Sequence, residues 1–359
     1  MVNSSHQSMQ ALVLHAVGDI RLEEVPKPDV GADKVRVRIG FCGVCGSDIP
    51  RIFLKGTYHF PTVCGHEFAG VVDIFGPEID DLTAGDPVVV FPLLWCGTCR
   101  ACEVGEYAKC SNYDYLGSRS DGAFAEYVTA PRQNLISIPS GVSLEEAAMT
   151  EPAAVALHAL RRGKCGVGQT VAVFGAGPIG LMVGMWAQIM GANQVLLFDI
   201  VEEKLALAKR LGINLSFNSR DIRPSQIIED LTNGQGAHLC VEAAGVPQTF
   251  TQALQATQRG GYTVILGNPS ADVTLSTSLI SQLMRREVNI IGTWNSDYSV
   301  FGDNDDWQTV LQAMASKTLN LKPLITHLVP LTEAFDMLQI MRDKTEFYAK
   351  VLVHPEGSG

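Results

Sequence analysis

Basic residues are in short supply: 27 Lys and Arg stand against 38 Asp and Glu, for a formal charge of −11 and an isoelectric point near 5.2. Affinity for nucleic acid is built from clustered cations that displace counterions, so a phosphate-backbone partner is not expected. Aromatic residues are also few, at 7%, yet 46% hydrophobic and 18% charged residues is an ordinary globular composition and excludes a disordered chain. No apolar run reaches the roughly 18 residues needed to span a bilayer. The opening "MVNSSHQSMQALVLHAVGDI" has no cationic stretch leading into an apolar core. No membrane role is expected, and the expected location is the cytoplasm. Internal repeats and low-complexity tracts are lacking as well. At 359 residues the chain exceeds the roughly 250 to 300 at which one hydrophobic core stops growing, so two domains are expected.

Cysteine, by contrast, is present nine times. Four fall in "CGTCRACEVGEYAKC", as Cys96, Cys99, Cys102 and Cys110. In a reducing cytosol persistent disulfides are rare, and thiolates at this spacing bind zinc tetrahedrally, leaving no position for a substrate. Gly97 and Gly105 permit the tight backbone such a knot needs. Unrelated thiols, a facultative disulfide or a zinc-ribbon interaction module are the alternatives. The last would need a basic or exposed partner surface, and 15 residues in a 359-residue chain look like a lobe on something larger.

A second group of metal-binding residue types lies in "FCGVCGSDIPRIF" and "TVCGHEFAG": Cys45, His66 and Glu67, with Glu151 in "MTEPAAVALHAL" as a fourth candidate just before a helical pattern. The glycine before His66 allows close approach of backbone, and the acid beside it can orient or complete a site. Cys42 and Cys45 form a C-x-x-C, but the alternating strand "KVRVRIGF" runs into it without the crossover of a thiol-redox fold. Cys42, Cys64, Cys165 and Cys240 read as small buried hydrophobes.

The middle of the chain, "QTVAVFGAGPIGLMVGMWAQIMGANQVLLFDI", is an apolar strand, a glycine turn, an apolar helix and a second strand ending in Asp199. Gly175, Gly177 and Gly180 between strand and helix, with an acid about 20 residues on, make the dinucleotide fingerprint. The glycines let a pyrophosphate approach the helix N-terminus. Asp199 would accept hydrogen bonds from the ribose hydroxyls and repel a 2′-phosphate, which favours NAD over NADP. Helices "VEEKLALAKRLG", "PSQIIEDLTN" and "PQTFTQALQATQRG" alternate with strands "NLSFN", "AHLCVEAAG", "YTVILGN" and "VNIIGTW". The pattern is α/β, with a doubly wound parallel sheet of six strands over residues 156–296. Short Val- and Gly-rich strands before it suggest a mainly-β, partly closed domain over residues 1–155, completed by 297–359.

In order and spacing, "CGVCGSD", "GHEFAGVV", "GDPVVV", "CGTCRACEVGEYAKC", "DGAFAEYV", "TEP" and "GAGPIG" resemble the zinc-containing medium-chain dehydrogenase/reductases, from about Met9 to His354. The resemblance implies a GroES-like catalytic domain beside a Rossmann domain. It implies two zinc ions per chain: a structural one on the four clustered cysteines, and a catalytic one on Cys45, His66 and either Glu151 or Glu67. It also implies NAD on Gly175, Gly177, Pro178, Ile179, Gly180, Asp199, Lys204 and the segments near Leu266 and Thr293. Zinc would lower the pKa of a secondary alcohol, from which hydride leaves to the nicotinamide. Ser47 matches the family hydroxyl that begins proton export, but Pro50 stands where many relatives have a histidine, so water or the cofactor ribose would take its place.

"SDIPRIF" and "GSRSDG" resemble a branch acting on phosphorylated sugar alcohols. Arg51, and Arg119 in a loop that relatives place near the substrate cleft, carry guanidinium groups suited to phosphate oxygens. The small-molecule substrate is then a polyol phosphate, with a free polyol or threonine as the alternative. A zinc- and nucleotide-binding protein without turnover is disfavoured, because such a protein has no need of an open metal site. "VTLSTSLISQLM" is more apolar and β-branched than a free surface needs, and relatives pair subunits on this side, so a homodimer or homotetramer is expected.

Overall fold

The computed structural model describes residues 8–300, 302 and 304–355. The expectation about the first residues of the chain falls partly on residues 1–7, outside the described residues. Two compact units are present: Met1–Glu151 with Asp297–Gly359, and Pro152–Ser296.

The first unit is mainly β. Its largest sheet has the order Leu135–Ser137, Pro87–Val90, Glu67–Phe75, Lys34–Gly43, Lys350–His354, Ile325–Pro330, with Tyr127–Pro131 also paired to Lys34–Gly43. Lys34–Gly43 is central because its alternation buries Val35, Val37 and Ile39 and leaves Arg38 exposed. It runs antiparallel to both neighbours, so that Gly43 lies opposite Glu67 on one side and Leu352 on the other. Residues from the far end of the chain thereby reach the second metal-type cluster. A smaller sheet, Asp19–Pro26, Ser8–Ala16 and Thr62–Val63, adds Leu12, Leu14 and Val63 to the same core.

The second unit is a six-stranded parallel sheet in the order Leu215–Asn218, Gln194–Asp199, Thr170–Phe174, Ala237–Glu242, Thr257–Ile265, Asn289–Gly292. Every residue of Thr170–Phe174 is buried, as expected of a parallel strand covered on both faces. Phe174, Phe198 and Phe217 stack across three neighbouring strands, with ring centroids 5.4 and 5.5 Å apart. One element differs from its reading in the sequence. The helix expected to run through "QATQRG" stops at Ala256, and the last four of those residues, from Thr257 on, open the strand Thr257–Ile265. The buried Thr257 hydroxyl bonds both the Ala253 carbonyl and the Thr263 hydroxyl, and Gly260 takes a positive φ of 68° that a helix cannot continue.

Among the described residues, no helix is long and apolar enough to cross a membrane.

Candidate metal and nucleotide sites

Ligand-type atoms of Cys45, His66 and Glu67 all lie within 4.8 Å of one another. Cys45 leaves the central strand in a loop closed by Asp48, whose Oδ2 accepts the Cys45 N–H at 3.0 Å. Gly65, at φ +95°, brings the next segment in so tightly that a Cβ there would lie 2.9 Å from Cys42 Sγ and 2.8 Å from Phe124. His66 and Glu67 follow directly.

His66 is buried, and its Nδ1 has no hydrogen-bond partner; the Asp48 carboxylate lies 3.6 Å away, where it can orient the ring. Glu151, in the first turn of the helix Thr150–Arg162, accepts the Tyr115 hydroxyl at 3.3 Å, and the Tyr115 ring meets His66 edge-on at 5.8 Å. Burial, then the negative charge of Glu67, pushes the Glu151 carboxyl up to about 7, against the pull of His66 and Lys350. Burial and Glu67 likewise raise the Cys45 thiol. Buried acids, a thiol and an unpartnered imidazole nitrogen crowded together are what a divalent cation would relieve, and the donor set suits zinc. Ser47 donates to Cys45 Sγ at 3.2 Å.

The two candidate substrate arginines are placed differently. Arg51 is already engaged: its guanidinium pairs with the fully buried Asp48, and Nη2 lies 3.5 Å from the Ser47 hydroxyl. Arg119 lies between two rings, its guanidinium carbon 4.1 Å from the Tyr58 centroid and 4.4 Å from that of Tyr113. It donates to the Tyr58 hydroxyl and the Tyr113 carbonyl, and among the described residues no carboxylate pairs with it. Tyr113 touches Tyr115 edge-on at 6.4 Å, so two rings connect this cation to His66.

The four clustered cysteines form a knot with Sγ separations of 4.0 Å for Cys96–Cys102, 3.5 Å for Cys99–Cys102 and 3.9 Å for Cys99–Cys110. A disulfide needs about 2.05 Å. Sulfurs at 2.3 Å from a tetrahedral zinc stand about 3.8 Å apart, so the knot fits the ion. Gly97 and Gly105 both take positive φ, 73° and 78°. Backbone N–H groups of Cys102 and Ser111 draw the Cys99 thiol down to about 5, toward the thiolate a metal requires. Cys42, Cys64 and Cys240 are buried as expected, whereas Cys165 is only partly so.

In the second unit, Gly175 takes φ +109°, and a Cβ on Gly180 would lie 1.8 Å from the Gly175 carbonyl oxygen. A Cβ on Gly177 would meet nothing within 4 Å, which leaves open space at the N-terminus of the helix Pro178–Ile189, where Pro178 and Ile179 form the first turn. Asp199 accepts the N–H groups of Ala176, Ile200 and Val201, and Lys204 Nζ lies 3.7 Å from it. The Leu266 N–H donates to the Glu242 carbonyl; Thr293 donates its N–H to Ile265 and keeps a buried hydroxyl without a partner. Open space, a helix N-terminus and an anchored acid fit a dinucleotide.

Residues 31–140 match the alcohol dehydrogenase GroES-like domain, and residues 178–316 match the zinc-binding dehydrogenase domain. The chain belongs to the zinc-binding dehydrogenase family. It is 38% identical to galactitol 1-phosphate 5-dehydrogenase of Escherichia coli (strain K12), over 89% of this chain and 92% of that one. It is 31% identical to sorbitol dehydrogenase of Bacillus subtilis (strain 168), over 99% of each. The crystal structure of Escherichia coli galactitol-1-phosphate dehydrogenase superposes with a TM-score of 0.90 at 36% identity, covering 97% of this chain and 100% of that one. A zinc-binding dehydrogenase of Sinorhizobium meliloti 1021 bound to NADP matches at 28% identity, TM-score 0.88, over 97% and 99% of the chains. An Escherichia coli CFT073 alcohol dehydrogenase complexed with NADH matches at 26%, TM-score 0.88, over the same shares.

This dehydrogenase is therefore an oxidoreductase of the polyol and sugar-alcohol group that uses zinc and a nicotinamide cofactor. Three of its site residues escaped the sequence reading. Asp48 lay inside the quoted "CGVCGSD", where an acid directly after Ser47 was the available signal, and Tyr115 lay between quoted motifs with no signal of its own. Lys350 had none: in "YAKVLVHP" it reads as an ordinary strand residue, yet it is buried against Glu67.

Proposed function

We propose that the protein oxidises a secondary hydroxyl of a sugar alcohol phosphate, of the galactitol 1-phosphate kind, to a ketose phosphate with NAD. The observation that carries this reading is Arg119: a cation between two tyrosine rings, unpaired with any carboxylate among the described residues and two rings away from His66. Its paired donors suit a phosphate, while Arg51 is occupied by Asp48.

Cys45 and His66 with Glu151 or Glu67 hold the metal, and Asp48 orients His66. When bound, zinc polarises the substrate hydroxyl and NAD accepts hydride. The Ser47 Oγ, exposed beside Cys45, takes the hydroxyl proton and passes it to water or the cofactor ribose, because Pro50 has no titratable group. Asp199, fixed by three backbone N–H groups, receives the ribose hydroxyls and excludes a 2′-phosphate. The cysteine knot holds a second zinc.

Two copies of the chain associate in this reading. The edge strand Asn289–Gly292 presents Ile290, and Trp294 beyond it is 62% exposed; on the helix Thr277–Arg286, Ile280 and Met284 are exposed while Leu279 and Leu283 pack inward. Nine free cysteines suit a reducing compartment such as the cytoplasm.

The test is the reduction of NAD with galactitol 1-phosphate and with galactitol. Arg119→Ala should raise KM for the phosphate by about tenfold or more, as loss of a charge-assisted hydrogen bond contributes roughly 1.5 to 3 kcal/mol, and should leave the free polyol nearly unaffected. Equal activity on both substrates, indifferent to Arg119, would favour the second reading, a free-polyol dehydrogenase like the Bacillus subtilis relative.

A further inference from the structure

Residues 57–62 carry three exposed rings in a row, Tyr58, His59 and Phe60, and they lie against the loop that carries Arg119. The base of this contact is rigid. The Val63 N–H donates to Asp121 Oδ1 at 2.9 Å, the Gly122 N–H donates to the Val63 carbonyl at 2.8 Å, and the buried Thr62 pairs with Leu14 in the smaller sheet. At the tip the joints are side chains.

His59 Nε2 lies 2.8 Å from the carbonyl oxygen of Arg119, sixty residues further along the chain. A carbonyl can only accept, so Nε2 carries the proton of this bond. The other ring nitrogen, Nδ1, lies 3.1 Å from the Pro61 carbonyl oxygen and 3.2 Å from the Thr62 hydroxyl, contacts that fix the imidazole within its own segment. His59 therefore holds Arg119 by the main chain. Tyr58 holds the same residue by its side chain, with the ring centroid 4.1 Å from the guanidinium carbon and the hydroxyl accepting Nη2 at 3.3 Å. Tyr58 is itself 70% exposed, so burial does little to fix it.

A free arginine side chain has rotamer entropy that binding must freeze, and a group held beforehand in its bound geometry binds more tightly. Tyr58 and Tyr113 restrain the guanidinium, but neither ring restrains the main chain from which it springs. That restraint comes from His59. Resting on the reading of Arg119 as the phosphate-binding group, we propose that His59 is a positioning residue for it. Its Nε2–H clasps the Arg119 carbonyl and keeps the guanidinium in place, so that residues 57–62 set the preference for a phosphorylated over a free polyol.

The test compares His59→Asn with His59→Gln, whose amides differ in reach by one methylene. The Asn amide takes the place of Nδ1 and stops short of Arg119, while the Gln amide nitrogen extends to the place of Nε2. His59→Asn should raise KM for galactitol 1-phosphate by about threefold to tenfold, the size of one net hydrogen bond, with kcat and the KM for galactitol nearly unchanged. His59→Gln should recover most of the loss. In an Arg119→Ala background His59→Asn should add nothing further, because a residue acting through Arg119 has nothing left to position. A merely structural histidine predicts instead a lower kcat or a raised KM on both substrates. That outcome, an unchanged KM for the phosphate, or an effect of His59→Asn that persists without Arg119 overturns the inference. Should His59→Asn not fold, His59→Leu, equally unable to donate, takes its place in the same comparison. If Arg119→Ala leaves the KM for galactitol 1-phosphate unchanged, the reading beneath the inference fails and the inference falls with it; if Arg119→Ala acts and His59→Asn does not, the inference alone fails.

Discussion

In the proposed function a single carboxylate decides between cofactors. Asp199 is clamped by three backbone N–H groups and cannot turn away from an added phosphate, so Asp199→Ala should lower the preference for NAD over NADP by about tenfold or more, the loss of one charge-assisted contact being roughly 1.5 to 3 kcal/mol. The ratio of kcat/KM values for the two cofactors reads it directly, and an unchanged ratio counts against Asp199 as the ribose ligand. Residues of this kind were legible because the chemistry is local in sequence: an acid at a strand end after a glycine turn, cysteines two apart, a histidine beside a glycine. Lys350 was not legible, because its partner lies 283 residues away and nothing near it in the chain betrays the contact. The Arg51 contact was hidden for a related reason: a guanidinium six residues after Cys45 suits a phosphate, and only the fold shows that it also pairs with the buried Asp48 three residues before it.

Among the elements, the glycine turn tolerates least. An added methyl group at Gly180 would stand 1.8 Å from the Gly175 carbonyl, so Gly180→Ala must displace the helix Pro178–Ile189. Overpacking of this sort costs about 1 to 3 kcal/mol, and the variant should melt at a lower temperature and bind NAD more weakly by calorimetry. Gly177→Ala, with open space around it, should leave stability alone and reduce NAD affinity only. The cysteine knot is a second self-contained element. Cys110→Ala should bring zinc from about two ions per chain to about one with a fall in melting temperature. If zinc content and stability both survive, the knot holds no metal. Alternation and glycine turns announced the parallel sheet well. The error at Ala256 arose because "QATQRG" has good helical propensity, and tertiary bonding of Thr257 to Thr263 overrode it.

At the level of the whole molecule, an exposed strand edge carrying Ile290, with Trp294 just beyond it, is the surface where a second copy is expected. Trp294→Glu, made on an exposed side chain, should leave the monomer folded and shift light scattering toward the mass of 38.7 kDa; a wild-type protein already at that mass at micromolar concentration would remove the expectation. The candidate metal and dinucleotide residues lie in separate units, so Cys45→Ser should abolish turnover while leaving NAD binding nearly intact. The division also orders events in time. Pro152–Ser296 is one unbroken stretch of chain, and its six strands can pair as soon as they have been translated. The first unit cannot: the strand ending at Gly43 waits for a neighbour, Lys350–His354, whose lysine lies 306 residues further on than the Val44 carbonyl it will meet. Throughout that wait on the ribosome, Cys45 stands beside an unfinished sheet. The nascent chain is therefore most open to oxidation, and to the wrong metal, in the interval between completion of its second unit and arrival of its last strand.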